Sequence, residues 1–173
     1  MDKQTLHAAI KKGDFPAEIS LAGNDYSDTD LAGSMFLKMD FSDCSFAKSD
    51  LEQSQFSECN LSNANFDGSN LAGCHFNDCD LSAVTLKNTG FKSASFSGCK
   101  MPTSQFGGSD IAEISFHDCD LKDANFDACN ATFTNFYTCS LVNASFQAVN
   151  AERATFMECD MRDSNLRDAT LIQ

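Results

Sequence analysis

The feature that most constrains this chain is a period of five. From Leu21 onward every fifth residue is large and apolar: Leu21, Tyr26, Leu31, Phe36, Phe41, Phe46, Leu51, Phe56 and so on, without insertion, to Leu171. The register holds 31 positions, of which fifteen are aromatic and eleven are Leu; the others are Met101, Met161, Ile111, Ala131 and Ala151. Of sixteen phenylalanines, Phe15 and Phe133 alone fall outside it. A spacing of five suits neither a helix, with 3.6 residues per turn, nor a strand, with a repeat of two. It suits a chain that turns a corner every five residues.

The position two residues before each large one is small, mostly Ala, Ser, Cys, Thr or Val, and it holds all nine cysteines. A free Cys packs as a small hydrophobe. Nine is odd, so a complete internal disulfide set is excluded. No CxxC pair occurs, and the closest two, Cys74 and Cys79, are further apart than the ligand pairs of zinc sites. The cysteines therefore read as packing residues, and no metal or cofactor is expected. A longer period is superimposed. Cys59, Cys79, Cys99, Cys119, Cys139 and Cys159 recur every 20 residues, as do Phe36, Phe56, Phe76, Phe96, Phe116, Phe136 and Phe156. Identical residues at 20 mean that four pentapeptides make one coil and that each residue stacks on its equivalent in the next. These two columns are the expected structural core.

Runs such as ECNLSNANFDGSNLAGCHF (Glu58 to Phe76) and CDLKDANFDACN (Cys119 to Asn130) resemble the pentapeptide-repeat proteins, whose pattern is Ala-Asp/Asn-Leu/Phe-X-X. The resemblance covers residues 19–173. It implies an all-β fold, a right-handed four-sided parallel β-helix with the large residue and the small one two before it turned inward and the other three facing solvent. The chain would form nearly eight coils, a rod about 37 Å long at one strand spacing per coil. The phases of Tyr26 and Phe36 are mostly Phe, and those of Leu21 and Leu31 mostly Leu, Met, Ile or Ala, so large is expected to face large across the axis. Outward glycines such as Gly23, Gly33, Gly68, Gly73, Gly98 and Gly108 suit corners that need positive φ.

Residues 1–18 lie outside the repeat. Asp2 can cap a short helix over residues 3–12, Gly13 can end it, and Leu6, Ala9 and Ile10 give it one apolar stripe. A lid on the first coil is the expectation. The repeat reaches Leu171 with no comparable lid, which points to stacking on a second copy or a partner. The opening residues lack the apolar core of a signal peptide and no apolar run is long enough for a membrane span, so a cytoplasmic location is expected.

The net charge is −13. That excludes direct nucleic-acid binding, which needs cations against phosphate, and disfavours an anionic membrane. Acids outnumber bases on all four faces. Asp40, Asp80, Asp120 and Asp160 recur every second coil on one face; Glu58, Asp78, Asp118 and Glu158 align on another. No catalytic constellation is visible: His75 and His117 are two coils apart, roughly 10 Å, too far to share a metal. Outward apolar residues gather late in the chain at Phe133, Tyr137 and Met157, with Val142 one side further round, and such clusters favour interfaces. Phe133 has the alternative of folding inward over Ala131 and Ala151. The expected function is a non-enzymatic acidic scaffold or adaptor binding another protein with a basic surface, with homodimerisation through the C-terminal end. The opening segment is similar to proteins of bacterial type VI secretion assemblies. The alternative implied by the resemblance is a DNA mimic that modulates DNA gyrase and confers quinolone or toxin protection; the dimerising helix of those relatives is not seen.

Overall fold

The computed structural model describes residues 1–14 and 16–171; Phe15, Ile172 and Gln173 lie outside them. One helix, α1 (Lys3–Lys11), precedes seven strands: β1 (Met35–Leu37), β2 (Gln55–Ser57), β3 (His75–Asn77), β4 (Ser95–Ser97), β5 (Ser115–His117), β6 (Asn135–Tyr137) and β7 (Thr155–Met157). The strands form one parallel sheet in chain order, each residue paired with the one 20 further on, as in Phe36 with Phe56 and Phe56 with Phe76. Three further ladders of single bridges carry the same register, beginning at Ser20–Asp40, Asp25–Ser45 and Asp30–Asp50. Four ladders five residues apart define a four-sided parallel β-helix. The strand column spans six turns, and the bridges extend the register from Ser20 to Thr170.

Main-chain hydrogen bonds join coil to coil in both directions. Tyr26 N–H donates to the Ser45 carbonyl at 2.7 Å, and Ser45 N–H to the Asn24 carbonyl at 3.0 Å. Corners obey one rule: the residue two after each large one is left-handed. Gly23, Gly33, Gly68, Gly73, Gly98 and Gly108 all have positive φ there, as the sequence predicts, but so do non-glycines such as Gln53 and Thr103. The residue before the large one explains the Asp/Asn preference. Its side chain accepts from the N–H two residues on, as in Asp50 to Glu52 (3.1 Å), Asn70 to Ala72 (3.1 Å) and Asn125 to Asp127 (2.8 Å), which fixes the bend. Two or three corners per coil are also closed by a bond such as Cys44 N–H to the Phe41 carbonyl. Among the described residues, the corner after the strands lacks that bond.

The core is built from columns. Rings from Phe36 to Phe156 stack at 4.8–5.0 Å and meet the rings of the Tyr26 column edge-on, as in Phe126 and Phe136 at 5.7 Å. Large does face large. Where Leu86 interrupts the Tyr26 column, Phe91 in a Leu column restores the volume and contacts Phe96 and Phe106. Several small inward positions tolerate hydroxyls because they donate to the carbonyl of a large residue one coil back: Ser54 to Leu31, Thr89 to Phe66, Ser109 to Leu86 and Thr134 to Ile111, at 2.6–3.0 Å; the Oγ atoms of buried Ser69 and Ser104 are without a partner.

The helix is the expected lid. Asp2 accepts from Thr5 N–H at 2.8 Å, Gly13 closes the end with positive φ, and Leu6 and Ile10 are buried in the core. Tyr26 heads a Phe column because its hydroxyl reaches the Met1 carbonyl at 2.9 Å. Lys11 pairs with Asp30 at 2.6 Å. At the other end Phe156 and Met161 are half-buried and Leu166 and Leu171 exposed. Leu6→Ala is expected to cost about 2–3 kcal/mol in denaturant unfolding, and removal of residues 1–18 to lower the melting temperature and promote association through the bared coil. An unchanged melt and a monodisperse truncated protein would contradict the lid.

Candidate interaction surface

The late apolar residues all face solvent. Phe133, Tyr137 and Met157 are 46%, 37% and 51% exposed. Phe133 does not fold inward over Ala131: it occupies a left-handed corner, φ 57°, where the side chain is carried outward whatever its type. The Arg153 guanidinium, one coil on, lies 5.4 Å from the centre of its ring, a cation–π contact. Tyr137 and Met157 pair across β6 and β7, and Tyr137 stacks on His117 at 5.0 Å. His117 in turn meets Asp118 at 2.9 Å. His75, two strands away, approaches Ser95 Oγ at 2.7 Å. The patch thus combines Tyr137, stacked on His117 and in register with Met157, with Phe133 at the corner before β6. Val142, on the next side, is half-buried.

Asp40, Asp80, Asp120 and Asp160 form one column, alternating with Asn60, Lys100 and Ser140. Their carboxylates are engaged in the fold. Asp40 accepts from Ser42 Oγ (2.7 Å), Ser20 Oγ (2.7 Å) and Asn60 Nδ2 (3.1 Å), and these bonds, led by Ser42, hold its pKa below the usual range. Asp80 accepts from Ser82 N–H (3.0 Å) and Asp120 from Lys122 N–H (3.1 Å). Asp160 is clasped by the Arg162 guanidinium, with Nη2 at 2.6 Å, which lowers its pKa in the same way. These acids shape corners first and present charge second. Charge periodicity alone does not show that division of labour. A second apolar area escaped sequence reasoning because it lies where the lid joins the rod. Met35 and Leu37, both about half exposed, border a groove of about 350 Å³ with Pro16, Ala17, Gln55 and Ser57.

Family models decide the classification. The pentapeptide repeat region matches residues 19–89 and 49–126, and a block of eight pentapeptide repeats matches residues 139–173. The chain belongs to the pentapeptide-repeat family. Solved pentapeptide-repeat structures share its fold. Full-length QnrB1, a plasmid-mediated fluoroquinolone resistance protein, superposes with a TM-score of 0.57 at 18% identity over 90% of this chain and 92% of that one. A pentapeptide-repeat protein of the Arabidopsis thaliana thylakoid lumen gives 0.55 at 22% identity, over 58% of this chain and 70% of that one. At such identities the likeness is one of fold. No curated protein sequence matches the chain.

Within this pentapeptide-repeat core, eight cysteines are buried; Cys159, in the last coil, is half-buried, and all nine are free. Cys44, Cys74 and Cys129 have no cysteine above or below. Burial pushes their pKa from an ordinary 9.0 to about 11, about 12 and about 11. Because the folded pKa is raised, the unfolded chain loses these protons first as pH climbs, so stability present below pH 9 declines through pH 11–12. The melting temperature should therefore fall as pH rises across that window, and less steeply when Cys44, Cys74 and Cys129 are all replaced by Ala. An identical slope in that variant would contradict the assignment.

Proposed function

We propose that this protein is a non-enzymatic, cytoplasmic binding rod whose patch at Phe133, Tyr137 and Met157 docks a protein partner with a basic rim. The observation that carries the reading is the exposure of two aromatics and a Met, with Tyr137 stacked on His117 and Phe133 under the Arg153 guanidinium, on a strongly acidic molecule. Aromatic and Met side chains are enriched at interface centres and charges at their rims. A net charge of −13 steers cationic surfaces and repels anionic ones. Exposed acids add little affinity each, but a rigid array loses little entropy on docking. Pentapeptide-repeat scaffolds are generally non-enzymatic, which fits the reading. Tyr137→Asp combined with Phe133→Ser should weaken partner binding at least about tenfold, as loss of interface anchors does, and binding should also weaken as salt shortens the Debye length below about 10 Å. A partner that binds the double variant as well as the native chain, independently of salt, would refute it.

The second reading is a DNA mimic acting on DNA gyrase, favoured by acidity on every face of a rod. Added to purified gyrase, such a mimic would alter supercoiling in a dose-dependent way and compete with duplex DNA, and the effect would fade when Asp40, Asp80, Asp120 and Asp160 are changed to Asn. The adaptor reading expects no effect on supercoiling.

A further inference from the structure

Cys59, Cys79, Cys99, Cys119, Cys139 and Cys159 stand one above another at the corner that follows the strands. Each sulfur meets the same two carbonyls: that of the Phe 23 residues back at 3.4–3.6 Å, and that of the residue two back at 3.3–3.4 Å. Constant contacts mean a constant rotamer, so the sulfurs repeat at the coil spacing. The adjoining Phe column measures that spacing as 4.8–5.0 Å.

That repeat decides what the thiols can do. A disulfide needs Cβ atoms about 3.5–4.5 Å apart, closer than successive coils bring them. On the scale of a zinc–thiolate bond, about 2.3 Å, a cation midway between two sulfurs asks for about 4.6 Å between them; linear Cu(I) forms shorter bonds, so the two thiols must lean toward each other from the coil repeat. We propose that this ladder binds soft monovalent cations of the Cu(I) type, each held linearly between the thiolates of two successive coils. Thiolates select such cations. Tetrahedral Zn(II) is poorly served, since among the described residues no group of three or more His, Cys, Asp or Glu converges.

Binding needs no oxidant or reductant. Two thiols lose their protons, two S–metal bonds form, and the complex keeps one negative charge. A sulfur with a metal directly above and another directly below would need a straight metal–sulfur–metal angle, foreign to its bent lone pairs. Each sulfur therefore serves one cation, and six sulfurs hold three. There is an entrance. A groove of about 310 Å³ has Cys59 and Cys79 in its floor and Glu58, Asp78 and Asp80 at its mouth. Half-buried Cys159 offers a second way in.

Cys44, Cys74 and Cys129 provide the control, because their column neighbours are Asn24 and Ala64, Ser54 and Ala94, and Ser109 and Val149. Two triple variants of the full chain each keep six thiols. One carries Cys44→Ala, Cys74→Ala and Cys129→Ala and leaves the ladder whole. The other carries Cys79→Ala, Cys119→Ala and Cys159→Ala and leaves no two thiols stacked one above the other in successive coils. Reduced protein is titrated anaerobically with Cu(I) against a chromogenic Cu(I) chelator, following sulfur-to-copper charge-transfer absorption. Native protein and the first variant should take up about three Cu(I) per chain, and the second at least about 100-fold more weakly. Equal uptake by both variants, or none by native protein, overturns the proposal. Should the second variant not fold by circular dichroism, Cys99→Ala alone should lower uptake from three to two, and an unchanged three would be equally decisive against it.

Discussion

Everything in this molecule depends on the main-chain ladder that ties each coil to the next one strand spacing away. With four sides of five residues and no slip in register, the ladder sets every side chain on its equivalent 20 residues further on. A single column must then suit one environment along its whole length. The Phe36 column stays aromatic because rings stacked at 4.8–5.0 Å attract along the axis. The small columns are mostly Ala, Ser, Cys, Thr or Val, with Met39 and Ile114 the largest side chains buried there. They accept Ser, Thr or Cys because a carbonyl from the coil before is often within reach, as for Ser54, Cys74 and Thr89. The same repetition turns an ordinary core thiol into a ladder of thiols.

The surface follows from the corners. Many bends pair a left-handed residue with an Asp or Asn that accepts the N–H two residues on, so local geometry favours those residues before any partner is considered. The chain meets that demand with Asp often enough to become strongly acidic. Function is therefore sought in what corner chemistry does not require. An exposed Phe133 under the Arg153 guanidinium and a Tyr137 stacked on His117 satisfy no turn and fill no core.

Much of this was legible in the sequence. The Phe and Cys columns revealed both periods, and with them the coil, the ladder register and the buried set. Asp2, Leu6, Ile10 and Gly13 revealed the lid through capping and one apolar stripe. The candidate surface was legible in part. Register alone places Phe133 at an outward corner, yet its apolar character argued for the interior until the left-handed backbone showed which prevails. The column of Asp40, Asp80, Asp120 and Asp160 read as a ladder of free charge, because periodicity reports alignment and not the Ser42 hydroxyl or the Arg162 guanidinium that engages each carboxylate. Met35 and Leu37 went unnoticed because their surroundings come from Pro16 and Ala17, outside the repeat.

The central claim is that unlike columns in a 20-residue register, and not the pentapeptide by itself, hold the rod together. Two insertions test it most directly: a second copy of residues 96–115, and a second copy of residues 96–100 alone. The longer one restores every column. It should melt at or above the native temperature and lengthen the rod by about 5 Å in small-angle scattering. The shorter one turns every later residue one face round, sets Phe columns over Leu columns and breaks the cysteine ladder. It should melt at least about 10 °C lower, as a loss of about three to five kcal/mol does in a domain of this size. If the five-residue insertion melts like the native chain and like the twenty-residue one, the columns are incidental and the account is wrong.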